Sequence, residues 1–129
     1  MKDDRLYLTH ILDSIERVER YTVEGKRVFL EDEKTQDATV RNLQTMAEST
    51  QRLSDSLKAR RSEIDWDDIA GFRNIAVHGY LSFDYEKAWN VVENRLPKLK
   101  RAAEALMSHL DAEAGSKAGS KAGGASGDA

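Results

Sequence analysis

The sequence predicts an all-α protein: an antiparallel bundle of four main helices with a disordered C-terminal tail. Three observations lead there. Apolar residues recur at i, i+3, i+4 and i+7 over long windows, the period of a helix with one buried face. The chain holds a single proline, so little interrupts helical backbone. No run shows the strict apolar–polar alternation of a half-buried strand.

The first helix is expected from about Asp3 to Thr22, with Leu8, Ile11, Leu12, Ile15, Val18 and Thr22 on one stripe and Gly25 ending it. Val28, Phe29 and Leu30 then form a short apolar plug of about one helical turn. The second helix is expected from about Gln36 to Lys58. Val40, Leu43, Ala47, Thr50 and Leu57 mark its inner face, with Met46 and Leu53 beside them. The third carries a strong start signal: Asp65 as cap, Asp68 three residues on, and Ile64 placed to staple onto Ile69. Gly79 should end it. The fourth opens with Asp84 as cap and runs to about Leu110, its inner face formed by Ala88, Val91, Val92, Leu96, Leu99, Ala103, Leu106 and Leu110. Pro97 lacks a backbone donor and should kink it.

Length and composition set the outer bounds. At 129 residues the chain is one domain plus a tail, read as residues 1–113 and 114–129. The tail is rich in Gly, Ser, Ala and Lys and has no large apolar side chain, so it cannot bury enough surface to offset its ordering entropy. There is no cysteine, which excludes disulfides and thiolate metal sites. No apolar run approaches membrane-spanning length and the charged N-terminus lacks the apolar core of a secretory signal, so the cytoplasm is the expected location. A net charge of −3 means that any nucleic acid must meet a local basic patch rather than a basic protein.

The chemically richest run is Arg73-Asn-Ile-Ala-Val-His78-Gly-Tyr80. It joins a permanent cation that forks onto phosphate oxygens, a group that moves protons near neutral pH, and a hydroxyl. On an ideal helix at ~100° per residue, Arg73 and Tyr80 share a face, while His78 sits ~140° from Arg73. Both groups can reach one atom if Gly79 unwinds the last turn or if a second copy supplies the complementary group across a two-fold axis. Spacing alone equally allows structural roles. Arg73 can pair with Asp67, Asp68 or Glu48, His78 can cap a helix C-terminus, and Tyr80 can be core. His10 and His109 lack ligand spacing and read as structural or exposed. No HExxH, paired-carboxylate motif or Gly-rich phosphate loop is present, so no metal site and no cofactor is expected.

The Arg73–His78 spacing resembles the HEPN superfamily, and His78-Gly79-Tyr80 narrows the resemblance to HepT-like ribonuclease toxins. It extends over most of residues 3–110, through Arg5-Leu-Tyr-Leu-Thr-His-Ile-Leu, Gln36-Asp-Ala-Thr-Val-Arg-Asn-Leu, Trp66-Asp-Asp-Ile-Ala-Gly-Phe-Arg and Trp89-Asn-Val-Val-Glu-Asn-Arg-Leu-Pro. The resemblance implies a HEPN-like helical bundle and a metal-independent RNase that acts on RNA, tRNA among the candidates. It implies a homodimer in which Arg73 and His78 of both subunits line one cleft. The implied partner is a minimal nucleotidyltransferase antitoxin that transfers AMP to Tyr80, in a type VII-like HEPN/MNT pair. Asn74 is then expected to orient a phosphate or His78. Glu48 matches a family Gly-Glu step and would orient Arg73, although Ala47 stands where that glycine is expected; Arg41 would contact a backbone phosphate. The competing reading is a non-catalytic helical dimer that binds or regulates a nucleotidyltransferase. Nucleotide binding without cleavage ranks last, because no loop is built to cradle phosphates.

Overall fold

The computed structural model describes residues 2–74 and 85–128, with side chains described for 3–74 and 85–115. Among these residues every regular element is a helix: α1 (Lys2–Tyr21), α2 (Lys26–Glu31), α3 (Glu33–Gln51), α4 (Asp55–Ala59), α5 (Trp66–Ala70), α6 (Tyr85–Asn90), a π-helical turn (Val91–Arg95) and α7 (Leu96–Asp128).

The long amphipathic helix α1 is the centre of the bundle. Its stripe of Leu8, Ile11, Ile15 and Val18 is fully buried, as the spacing requires. It packs against α3 through Leu43, Met46 and Ala47, and against α7 through Leu99, Ala102, Ala103 and Leu106; all belong to one core cluster. Both neighbours run antiparallel to α1. Asp4, at its start, reaches Ser54 beyond the end of α3, and Arg5 pairs with Asp111 midway along α7. Lys100, early in α7, holds Glu19 near the end of α1 at 3.0 Å. Between α1 and α2, Gly25 sits at φ 94°, where a residue with a Cβ is strained. The apolar plug is α2. Its Phe29 is fully buried and meets the rings of Tyr85 and Trp89, at centroid distances of 6.1 and 5.5 Å.

Several boundaries differ from those the sequence suggests. The second helix does not run from Gln36 to Lys58: α3 starts at Glu33 and stops at Gln51, and α4 resumes at Asp55. The break is made by Asp4, whose carboxylate accepts from the Ser54 N–H at 2.8 Å and from its hydroxyl at 2.7 Å. With its N–H aimed at Asp4, Ser54 turns to extended backbone and caps α4 by accepting from Leu57 N–H. Leu53 and Leu57 nonetheless stay in the core. The third helix is also interrupted. Asp65 caps α5 by accepting from Asp68 N–H at 3.0 Å, and Ile64 and Ile69 are both buried, as expected. The helix then stops at Ala70, and the chain advances through i→i+3 bonds from Phe72 N–H to Ile69 and from Asn74 N–H to Gly71. Gly79 and Asp84, the expected stop and cap, lie outside the described residues.

In the fourth helix the disturbance anticipated at Pro97 takes the form of the π turn just before it. Leu96 N–H reaches back five residues to the Val91 carbonyl, in a stretch where the missing Pro97 donor leaves the ordinary ladder incomplete. Ala88, Val91, Leu96, Leu99, Ala103 and Leu106 face inward as the pattern predicts, with Val92 and Leu110 partly buried. The last helix continues as backbone to Asp128, where composition suggests disorder from residue 114. Among the described residues Leu110 is its last one packed on the core, and the side chains of 111–115 are exposed.

Candidate active site

The outer face of α3 carries Arg41, Gln44, Thr45 and Glu48, spaced i, i+3, i+4 and i+7, so they form one stripe. Arg41, Thr45 and Glu48 are exposed. Gln44 is half-buried, and its side-chain amide donates to the Arg73 carbonyl over a long 3.4 Å. That contact brings the end of the α5 segment against the stripe. Two apolar anchors hold it there, since Ile69 and Phe72 both enter the core cluster and α5 packs on α3. Arg73 follows Phe72 directly, so its backbone is tied down while its side chain stands exposed; Asn74 beside it is exposed as well.

Arg41 and Glu48 thus flank, along one helix face, the Gln44 that meets the Arg73 backbone, and Asn74 follows Arg73 directly. His78 and Tyr80 lie outside the described residues. Because the i→i+3 turns around Arg73 rotate the chain by about 120° per residue rather than 100°, the ideal wheel used to relate these positions does not apply at its start. Gln44 was not singled out from the sequence. Its signal is its place between Arg41 and Glu48 on the same stripe.

Among the described residues Arg73 makes no ion pair. Asp68 meets Arg95 at 3.4 Å, and Glu48, one turn beyond Gln44, has no ion-pair partner among the described residues. Ala47, where the resemblance led to the expectation of glycine, is fully buried in the core. Of the remaining histidines, His10 is exposed and meets the Tyr7 ring edge-on, and His109 is bonded to Glu113 at 3.0 Å. His109 borders an open cleft of about 720 Å³ at the far end of α1, together with Asp4, Arg5 and Arg60; none of the expected site residues lines it. No group of three His, Cys, Asp or Glu among the described residues is arranged to hold a metal ion. No helix of the described residues is long and apolar enough to cross a membrane.

Fold and site together define a small helical domain that displays a basic and amide-bearing surface next to a short helix-to-turn junction. Comparison with known proteins places it further. The family described as "Ribonuclease HepT-like" matches residues 11–106. The chain is 34% identical over 101 residues to "Probable ribonuclease HepT" of Thermococcus cleftensis, covering 78% of this chain and 92% of that one. It is 30% identical over 111 residues to a proposed RNase of Caldanaerobacter subterraneus, covering 83% and 96%. A longer Methanocaldococcus jannaschii protein, named as a gamma-glutamylcyclotransferase and a proposed RNase, is 32% identical over 117 residues; the match covers 90% of this chain and 53% of that protein, so the chain spans about half its length. No solved structure matches significantly. The chain belongs to the HepT-like ribonuclease family.

Proposed function

We propose that this chain is the toxin of a type VII-like HEPN/MNT toxin–antitoxin pair. It is a cytoplasmic homodimer that cleaves RNA without a metal and is silenced when a minimal nucleotidyltransferase attaches AMP to Tyr80. The observation that carries the reading is the Arg73–Tyr80 motif lying inside the family match over residues 11–106. The exposed Arg73, without an ion pair among the described residues, supports it.

In the reaction the ribose 2′-oxygen attacks phosphorus, and the bond to the 5′-oxygen breaks. The products are a 2′,3′-cyclic phosphate and a 5′-hydroxyl. His78 takes the 2′-hydroxyl proton or returns one to the leaving oxygen. Arg73 holds the scissile phosphate and offsets the charge that builds on its oxygens. Asn74, Glu48 and Arg41 act around that pair: Asn74 and Glu48 as positioning residues, Arg41 on a neighbouring phosphate. In silencing, the Tyr80 oxygen attacks the α-phosphorus of ATP, pyrophosphate leaves, and the phenolic proton passes to the nucleotidyltransferase or to water. The attached AMP adds bulk and negative charge two residues from His78, which repels RNA.

The test is induced expression of wild type, Arg73→Ala, His78→Ala and Tyr80→Phe without the partner, followed by electrophoresis of total RNA lysed in EDTA. Discrete fragments are expected from wild type and Tyr80→Phe. Arg73→Ala and His78→Ala should cut more slowly by roughly a hundredfold or more. Intact RNA in every lane, with all four proteins soluble and folded, overturns the enzyme reading in favour of a module that binds a nucleotidyltransferase.

A further inference from the structure

A net charge of −3 leaves open how this chain attracts a polyanion. The structure holds an answer on the side of α3 that faces the end of α1. There Arg17 and Tyr21, one turn apart on α1, face Lys34, Arg41, Asn42 and Thr45 of α3 across an open groove of about 600 Å³. The three cations are all exposed, and none takes part in an ion pair among the described residues. Asp37 also lines the groove and is joined to none of them, so the lining carries a net positive charge within an acidic protein. By contrast, Arg5, Lys26, Arg27, Lys58, Arg61, Arg95 and Lys100 are each paired with a carboxylate.

Position gives the groove its direction. Lys34 to Thr45 spans about 16 Å along α3 at 1.5 Å per residue. Arg41 and Thr45 belong both to the groove and to the stripe whose Gln44 touches the Arg73 backbone. A strand with its scissile phosphate at Arg73 would thus have its flanking nucleotides beside Arg41 and then between Arg17 and Lys34. Tyr21, 38% exposed on the groove wall, offers a ring face for a base.

We infer that the α1–α3 groove is the track for the single-stranded RNA flanking the cut, with Arg17, Lys34 and Arg41 on its phosphates and Tyr21 stacking on a base. Cations beside an exposed ring, continuous with the site, suit a nucleic-acid strand; an acidic protein would need neither the ring nor that continuity. The inference rests on the RNase reading above.

The test uses full-length His78→Ala protein, so that RNA stays intact, and a short fluorescein-labelled single-stranded oligoribonucleotide followed by anisotropy across a salt series. Each phosphate contact on a single strand contributes about 0.7 to the slope of log affinity against log salt, or about fivefold in affinity at ~0.1 M salt. Adding Arg17→Gln and Lys34→Gln should lower the slope by about 1.4 and the affinity by roughly 25-fold. Tyr21→Leu should weaken binding at least about fivefold with the slope unchanged. Arg60→Gln with Arg101→Gln, two cations away from the groove, is the charge-matched control and should do neither. In the His78 background restored to wild type, Arg17→Gln with Lys34→Gln should raise KM for cleavage and leave kcat in place.

Arg17, Tyr21, Lys34, Arg60 and Arg101 are exposed, so their variants should fold, which circular dichroism checks for every protein used. Groove variants that bind and cut like the control overturn the track while leaving the RNase reading intact. Groove variants that keep RNA affinity but lose the nucleotidyltransferase in a pull-down assign the groove to a protein and also overturn it. If wild type cuts no RNA and the His78→Ala protein binds none, the RNase reading fails first and the track falls with it.

Discussion

Replacing Asp4 by alanine should destabilise the protein more than its place in the first turn of a helix suggests. The carboxylate is only 3% exposed, and it accepts two hydrogen bonds from a residue 50 positions away, at 2.8 Å from Ser54 N–H and 2.7 Å from Ser54 Oγ. A hydrogen bond to a charged group contributes about 1.5–3 kcal/mol net. Ser54 is only part-buried, so water replaces part of the loss, and the lower end applies to each bond: about 3 kcal/mol together. A domain of this size has roughly 5–15 kcal/mol in total, so Asp4→Ala is a large perturbation. In urea, with a slope of about 1.5 kcal/mol/M, the midpoint should fall by about 2 M with the slope unchanged. Asp4→Asn keeps one acceptor without the charge and should lose about half as much. A double-mutant cycle with Ser54→Ala isolates the hydroxyl bond, with an expected coupling of about 1 kcal/mol or more. A midpoint shift for Asp4→Ala under about 0.3 M, or a coupling indistinguishable from zero, would refute the assignment of the α3–α4 break to Asp4.

Three further outcomes are expected. Asp65→Ala removes the cap of α5 and should cost about 1 kcal/mol by thermal unfolding, most of it recovered in Asp65→Ser. The hydrogen bond from Lys100 to Glu19 raises the lysine's pKa above its ordinary value. A raised pKa in the folded state gives stability that is complete below the unfolded pKa and is lost as pH rises through the folded one. The deficit of Lys100→Gln relative to wild type, within about 0.5 kcal/mol for an exposed pair, should therefore hold at neutral pH and vanish well above pH ~10.4. We propose that the folding unit ends near residue 113: deleting 114–129 should leave the urea midpoint within error, because among the described residues Leu110 is the last of α7 packed on the core. A midpoint drop of more than about 0.3 M would assign the tail a structural role.

What was legible in the sequence is what local chemistry decides. The α1 stripe was readable because nothing competes with it over 20 residues. The Asp65 cap was readable because its hydrogen bond closes within three residues. The Ser54 break was not, because its cause lies on another helix, while Leu53 and Leu57 keep the apolar phase running as though the helix continued. The stop at Gly71 was hidden for a similar reason: Ile69 and Phe72 hold an i, i+3 phase that fits either an α-helix or the tighter turn that forms. Pro97 announced a disturbance but not its form, since whether the ladder kinks or widens to a π turn depends on what Val91 and Leu96 pack against. At the site, spacing placed Arg41 and Glu48 on one helix face. It did not show that Gln44 would join that face to Arg73, a contact across 29 residues.

The same long-range packing bears on why an arginine stands ready at residue 73. Asp67 and Asp68 precede it in its own segment, and spacing alone leaves a pairing with either of them open rather than favoured. Asp68 lies against Arg95, from the π turn at the head of α7, and the exposed Asp65 caps α5 by accepting from Asp68 N–H. We propose that Arg95, by holding Asp68, keeps that carboxylate from competing for the Arg73 guanidinium. This makes Arg95 a positioning residue by electrostatics rather than by contact. In Arg95→Gln, Asp68 is freed to draw Arg73 back onto α5. RNA affinity should then drop with little change in the unfolding midpoint, because the partly exposed, long Arg95–Asp68 pair itself contributes little. Restoring affinity by adding Asp68→Asn would trace the loss to the liberated carboxylate. Affinity that is unchanged in Arg95→Gln, or that stays low after Asp68→Asn, would show that Arg73 owes nothing to this exchange of partners.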